Sequence, residues 1–182
     1  MNNKGLLVID MQKDLCYNPK RKEKIMQMLP PLKMAIDFFS RNHYPIFYIS
    51  FALKENDPQF KRFGDRYCIE GSEGAEIIDE LYPLRGQIIF KQKHSAFFET
   101  DLDTLLKKEG IGEIYLTGMQ TQICIMTTAA DASFRGYQPI VIQECVLSTS
   151  ENKKKLALKW IEDYVGIVDT LSKVINQDEN ER

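Results

Sequence analysis

The chain has 182 residues, 43% of them hydrophobic, with 24 basic and 26 acidic side chains and a net charge of −2. That length suits one domain able to bury roughly 70% of its extended-chain surface, so residues 1–182 are read as one domain. The charge balance excludes an electrostatic groove for nucleic acid or an anionic-membrane surface, and the apolar run at residues 6–9 is too short for a signal sequence or a spanning helix.

A cytoplasmic protein is therefore expected. The separated Cys16, Cys68, Cys124 and Cys145, with no Cys-x-x-Cys pair, fit free thiols better than a disulfide framework or a zinc site. In chain order, residues 6–9 predict a strand that ends at Asp10. Pro30 and Pro31 open a predicted helix with Leu32, Ile36 and Phe39 on its apolar face, since proline tolerates a first turn. Residues 46–49 predict the second strand. Residues 51–74, with Pro58, Gly64, Gly71 and Gly74, read as a long irregular loop that covers the site together with residues 16–23. The third strand, 88–90, leads into Lys91, and Leu102, Leu105 and Leu106 mark the next helix.

Residues 114–116 predict the fourth strand, followed by a helix that Thr121 caps, that Ile123, Met126, Ala130 and Phe134 define, and that Gly136 ends. Residues 140–142 and a weaker run at 166–168 complete the strands. Between them, residues 151–164 read as an amphipathic helix capped by Ser150, with Leu156, Trp160 and Tyr164 at i, i+4, i+8. The polar tail from Asn176 is expected to fray. Continuous apolar runs suit parallel strands buried on both faces, so the fold class is α/β, a three-layer α/β/α sandwich.

Ligands of open parallel sheets bind beyond the carboxyl ends of the strands, which singles out Asp10, Ser50, Lys91, Thr117-Gly118, Gln143-Glu144 and Asp169. Cys124, six residues beyond Gly118, falls in a predicted first helical turn. There the backbone N–H groups and the helix dipole favour thiolate and can receive an oxyanion. Read alone, Cys124 is equally a small core residue, Asp10 a turn cap or metal ligand, and Lys91 a solvated charge. Gln12 stands where an aspartyl phosphatase needs a second acid, and Gly110, Gly112 and Gly118 run into a strand instead of opening a helix after one. Phosphoryl transfer and dinucleotide binding therefore fail.

Three blocks taken together resemble the isochorismatase-like hydrolases: Leu7-Val8-Ile9-Asp10-Met11-Gln12-Lys13-Asp14, Lys91 followed by Ser95-Ala96-Phe97, and Gly118-Met119-Gln120-Thr121-Gln122-Ile123-Cys124. Residues 68–77 and 128–137 extend the likeness, which spans roughly residues 5 to 145. That family includes nicotinamidases, N-carbamoylsarcosine amidohydrolase, and the biuret and ureidoacrylate hydrolases. The resemblance implies a six-stranded parallel sheet in the order 3-2-1-4-5-6, with Asp10 as base, Lys91 as cation and Cys124 as nucleophile. Lys93 competes for the lysine role, but Lys91 has the familiar four-residue offset from Ser95. The resemblance also implies a non-proline cis peptide at Met119-Gln120, aiming the Gln120 and Cys124 N–H groups at one oxyanion. In that order the Lys91 strand lies two spacings from the Asp10 strand, on the order of 10 Å, so the lysine must reach inward.

The implied activity is hydrolysis of a small amide, urea or carbamoyl compound through a thioester, with no cofactor. Nicotinamidases of the family bind a metal through an Asp-x-His segment after the second strand; here that region reads Ser50-Phe51-Ala52-Leu53-Lys54. The chain's two histidines, His43 and His94, read as surface or packing residues, and Asp57 and Asp65 as solvated acids, so no metal is expected. Vinyl-ether hydrolysis by a true isochorismatase requires no thioester, and the presence of Cys124 favours an amidase over it. A catalytically silent binding protein on the same fold is the non-enzyme alternative. Relatives commonly have an aromatic residue where this chain has Leu15; Tyr17 or Phe51 are the candidates to supply that face of the substrate pocket. A small-molecule substrate and a homodimer or larger homo-oligomer are expected, the latter by resemblance only.

Overall fold

The computed structural model describes residues 3–63 and 66–180. Gly64 and Asp65 lie outside the described residues. Six strands, β1 (Asn3–Ile9), β2 (Ile46–Phe51), β3 (Gln87–Lys91), β4 (Ile111–Met119), β5 (Gln138–Leu147) and β6 (Ile167–Asp169), form one sheet. Every pairing is parallel, and the order is β3-β2-β1-β4-β5-β6. The expected α/β fold and strand order are both present. Two apolar clusters line the two faces: Leu6, Val8 and Tyr48 point to one and Leu7, Ile9 and Phe47 to the other, as the period of two along a strand requires.

The helices are α1 (Lys13–Cys16), α2 (Lys22–Arg41), α3 (Pro58–Phe63), α4 (Leu102–Lys108), α5 (Met126–Phe134), α6 (Glu151–Tyr164) and α7 (Leu171–Asn180). No helix among the described residues is long and apolar enough to cross a membrane. Helix α2 corrects the start assigned to Pro30 and Pro31, which lie inside it. Each proline removes a donor to the carbonyl four residues back, here Met26 and Gln27. Both residues are exposed, so those carbonyls lie on the solvent side, while Ile25, Met28, Leu29, Leu32, Ala35, Ile36 and Phe39 keep one face buried.

Residues 151–164 form α6, and the Ser150 hydroxyl accepts from the Lys153 N–H, as the cap predicts. The buried face is not the expected one but lies about 100° round the helix from it. Ala157 and Ile161 pack inward, whereas Leu156 (71%), Trp160 (37%) and Tyr164 (71%) stay accessible. The packed side is the one whose small residue lets the helix approach the sheet, and the spacing of large side chains alone misreads it. Helix α5 repeats the lesson: Thr128, Ala129 and Ala132 are buried while Phe134 is exposed. Edge strand β3 also departs from full burial, with Ile88 and Phe90 exposed.

The tail is helical and docked instead of frayed. Asp178 of α7, 2% accessible, accepts from Lys4 Nζ at 2.7 Å and from the Tyr44 hydroxyl at 2.6 Å, tying the last helix to β1. The described residues between 51 and 74 include the helix α3, so this stretch is not the wholly irregular loop expected. Asp57 is buried (8%) instead of solvated, because its carboxylate accepts from Gln59 N–H at 2.8 Å and opens α3 ahead of Pro58.

Candidate active site

Strand β1 delivers Asp10 at its carboxyl end in a left-handed conformation, φ 56°, a region asparagine and aspartate enter more readily than most residues. Gly118 on the neighbouring β4 allows the close approach beside it. With φ 100°, it would bring a Cβ to 2.0 Å from the Ile9 carbonyl oxygen, so only glycine fits. Strand β4 then ends in a cis peptide at Met119-Gln120, where the resemblance puts it.

The chain next enters a π-helical turn, Thr121–Ile125, that runs into α5 and carries Cys124. Thr121 is not the cap: position and extended conformation assign that place to Gln120, and the Thr121 hydroxyl is buried without a hydrogen-bond partner. The Gln120 carbonyl accepts instead from the Ile123 and Ile125 N–H groups at 3.0 and 3.2 Å.

Lys91 pairs in register with Phe51 on the intervening β2, so its stem must cross the end of that strand. It does so over the Phe51 ring, with Nζ 4.0 Å from the centroid, and donates to Asp10 Oδ2 and to the His94 carbonyl, each at 3.0 Å. The turn that presents this carbonyl is pinned to α5. Ser95 Oγ donates to Asp131, and the Ala96 N–H donates to Thr128 Oγ1 at 3.1 Å. The spacing from Lys91 to Ser95-Ala96 thereby acquires a mechanical meaning. Lys93, the competitor, points outward to within 4.0 Å of Asp57.

Asp10 and Lys91 are both almost fully buried, and Cys124 lies within electrostatic reach of each. Burial pushes the Asp10 carboxyl above the usual carboxylate range, with Lys91 pulling the other way. Burial works most strongly against the Lys91 charge, yet Asp10 and Cys124 together outweigh it and hold the ammonium above the ordinary lysine value. The thiolate expected at the helix start is disfavoured in the folded protein. Burial first, and then the Asp10 charge, raise the Cys124 thiol well above its ordinary value, and Lys91 offsets only part of this. Asp10 Oδ1 is buried with no nitrogen or oxygen donor on it, and the Cys124 thiol is the group placed to hydrogen-bond to this carboxyl.

Alkylation should report the neutral thiol. Without substrate, iodoacetamide should modify Cys124 slowly at neutral pH, and the rate should climb only above the ordinary thiol pKa of about 8.5. Mass spectrometry of the modified peptide across pH checks this; rapid labelling at pH 6 would refute a protonated resting thiol.

A cavity of about 510 Å³ opens on these groups, lined by Asp10, Leu15, Phe51, His94, Gln120 and Cys124 among others. Its size suits a small molecule. The segments on either side contribute Asn18 and Arg21, and Arg66 and Tyr67, as expected of covering loops. Leu15 and Phe51 are pocket residues, but Tyr17 is not. Its hydroxyl is captured outside, donating to Glu80 at 2.8 Å and accepting from the Asp79 N–H at 3.2 Å. The aromatic wall comes instead from Phe51 and Tyr67, packed edge to face at 6.1 Å.

Sequence reasoning also missed His94, whose Nδ1 lies 3.8 Å from Cys124 Sγ. Its place three residues after Lys91 was the available signal. The acid and glutamine after Asp10 hold the pocket walls. Gln12 Nε2 donates to the Phe51 and Ala75 carbonyls, both at 2.7 Å, and its Oε1 accepts from the Phe51 N–H at 2.8 Å. Asp14 accepts from the Cys68 N–H at 2.8 Å and so places Tyr67; Gly74 leaves it room, since a Cβ there would sit 2.1 Å from Asp14 Oδ2. Among the described residues no cluster of histidine, cysteine or acidic side chains could hold a metal ion.

Residues 4–172 match the isochorismatase domain family. The isochorismatase family protein YaaI of Bacillus subtilis (strain 168) is 31% identical over 171 residues, covering 90% of this chain and 91% of that protein. Ureidoacrylate amidohydrolase RutB of Enterobacter sp. (strain 638) is 33% identical over 132 residues, 70% of this chain and 56% of that protein. Among solved structures, N-carbamoylsarcosine amidase from Thermoplasma acidophilum superposes with a TM-score of 0.82 at 29% identity, covering 93% of this chain and 96% of that one.

Proposed function

The chain belongs to the isochorismatase family, and from that premise we propose that it hydrolyses a non-peptide C–N bond, in an amide, urea or carbamoyl group, of a small molecule through a thioester on Cys124. The observation that carries the reading is the convergence of a buried Asp10–Lys91 ion pair and the Cys124 thiol at one cavity. Two relatives whose names describe an amidohydrolase and an amidase, RutB and N-carbamoylsarcosine amidase, support the C–N bond over the vinyl ether.

In this reading the Cys124 thiol proton passes to Asp10 as Sγ bonds to the carbonyl carbon. The raised Asp10 pKa makes that carboxylate a better acceptor than an ordinary aspartate. The ammonium of Lys91 stabilises the charge that moves from acid to sulfur, and backbone N–H groups of Gln120 and Cys124 receive the oxyanion. The C–N bond then breaks and the leaving nitrogen takes the proton from Asp10. Water attacks the thioester, giving one proton to Asp10, and the C–S bond breaks; that proton returns to the thiol as the acid departs.

Ammonia release tests the reading across carboxamides, ureas and carbamoyl compounds, with isochorismate alongside. At least one C–N substrate should yield ammonia, and an acyl adduct should appear on the Cys124 peptide. Turnover of isochorismate with ammonia from none of the others would reverse it.

A further inference from the structure

The cavity that holds Cys124, Asp10 and His94 is also lined by Asn18, Arg21 and Arg66 from the two covering segments, with Leu15, Phe51 and Ile123 supplying apolar surface. The geometry points to a substrate that carries a carboxylate, held by the Arg21 and Arg66 guanidinium groups while its carbonyl group faces Cys124. This inference rests on the amide-hydrolase reading for the reacting end alone.

The charges around the cavity support it. Asp10 is balanced by Lys91 at 3.0 Å, and Asp14 is committed to the Cys68 N–H. Arg21 is half-buried, and its Nη1 donates to the Leu15 carbonyl at 3.2 Å, which orients the planar group; among the described residues it has no ion-pair partner. A half-buried guanidinium facing a cavity calls for an anion, and its fork geometry matches a carboxylate through two parallel hydrogen bonds.

Arg66 is engaged, with Nη2 3.0 Å from Glu55 Oε1 and 3.2 Å from the Glu55 carbonyl. That pair is exposed on both sides, 52% and 73%, where screening leaves the attraction weak. A substrate acid that enters the cavity therefore competes with Glu55 for the same guanidinium. Arg66 is also fixed from behind, adjoining Tyr67 and Cys68, whose backbone N–H is held by Asp14. The two arginines come from segments far apart in sequence, so their meeting at one cavity is a product of the fold.

Titration calorimetry on the Cys124→Ala protein, which cannot form a thioester, tests binding apart from turnover. The probes are succinamate, an amide with a free acid, and succinamide, its neutral counterpart of nearly the same size. Succinamate should bind at least about tenfold more tightly, and Arg21→Gln or Arg66→Gln should each reduce that preference, with Arg21→Lys retaining part of it. Equal affinities, binding of neither probe, or a preference for the acid that survives both substitutions to glutamine would overturn the inference. Ammonia release by the unmodified protein is read separately: a protein that prefers acids but hydrolyses no amide would refute the proposed reaction and leave the carboxylate site standing.

Discussion

Replacing Cys124 with alanine should abolish turnover, by on the order of 10⁴-fold or more, because no other group described at the cavity can form the acyl intermediate. The fold should survive. Cys124 is buried, and removing one sulfur atom leaves a small void costing about 1 kcal/mol. Circular dichroism and thermal melting check the fold, and mass spectrometry of reactions quenched during turnover checks for the acyl adduct. A variant that retains a tenth of the activity on a true substrate would remove the thiol from the mechanism, since background attack by water could not supply that rate.

Lys91→Met should damage both stability and chemistry. The ammonium is fully enclosed by Asp10, the His94 carbonyl and the Phe51 ring, and a buried pair that loses one partner is typically destabilised by about 3–5 kcal/mol. The pH dependence identifies the cause. Burial already raises Asp10, and loss of Lys91 removes the main opposing influence, so its folded-state pKa rises further above the unfolded value.

A group raised in the folded state contributes stability below its unfolded pKa, and that contribution is lost as pH rises through the folded pKa. The variant should therefore approach the parent in stability as pH falls toward about 4 and fall furthest behind at pH 7 and above. Urea melts across that range measure it. A deficit that does not change with pH would mean that lost packing, and not the unpaired acid, accounts for the damage. Activity should fall in parallel, because a further rise in the Asp10 pKa leaves less of the carboxylate that accepts the thiol proton.

Much of the fold is legible in the chain because burial on both faces of a parallel strand leaves a continuous apolar run. Residues 6–9, 46–49, 114–116 and 140–142 announce four strands, and each lies within an observed one. Helix faces were legible less well. Leu156, Trp160 and Tyr164 have helical spacing, but which stripe faces the sheet depends on how closely a small residue such as Ala157 lets the helix approach. The start of α2 was misplaced for a related reason: proline in a helix is tolerable where the freed carbonyls meet water, and only the packed orientation says where that is.

Motif and strand-end position by themselves determined the chemical inventory: an acid after β1, a lysine at the end of β3 and a cysteine after β4. Tertiary structure decided their state and surroundings. It bent Lys91 across β2 onto Asp10, raised the Cys124 thiol pKa by burying it beside a carboxylate, turned Tyr17 away, and brought Tyr67, His94 and the two arginines to the cavity. The division has one physical reason. Bonding pattern and periodicity are local and can be read along the chain, whereas desolvation and the pairing of charges depend on groups that the chain brings together only when it is folded.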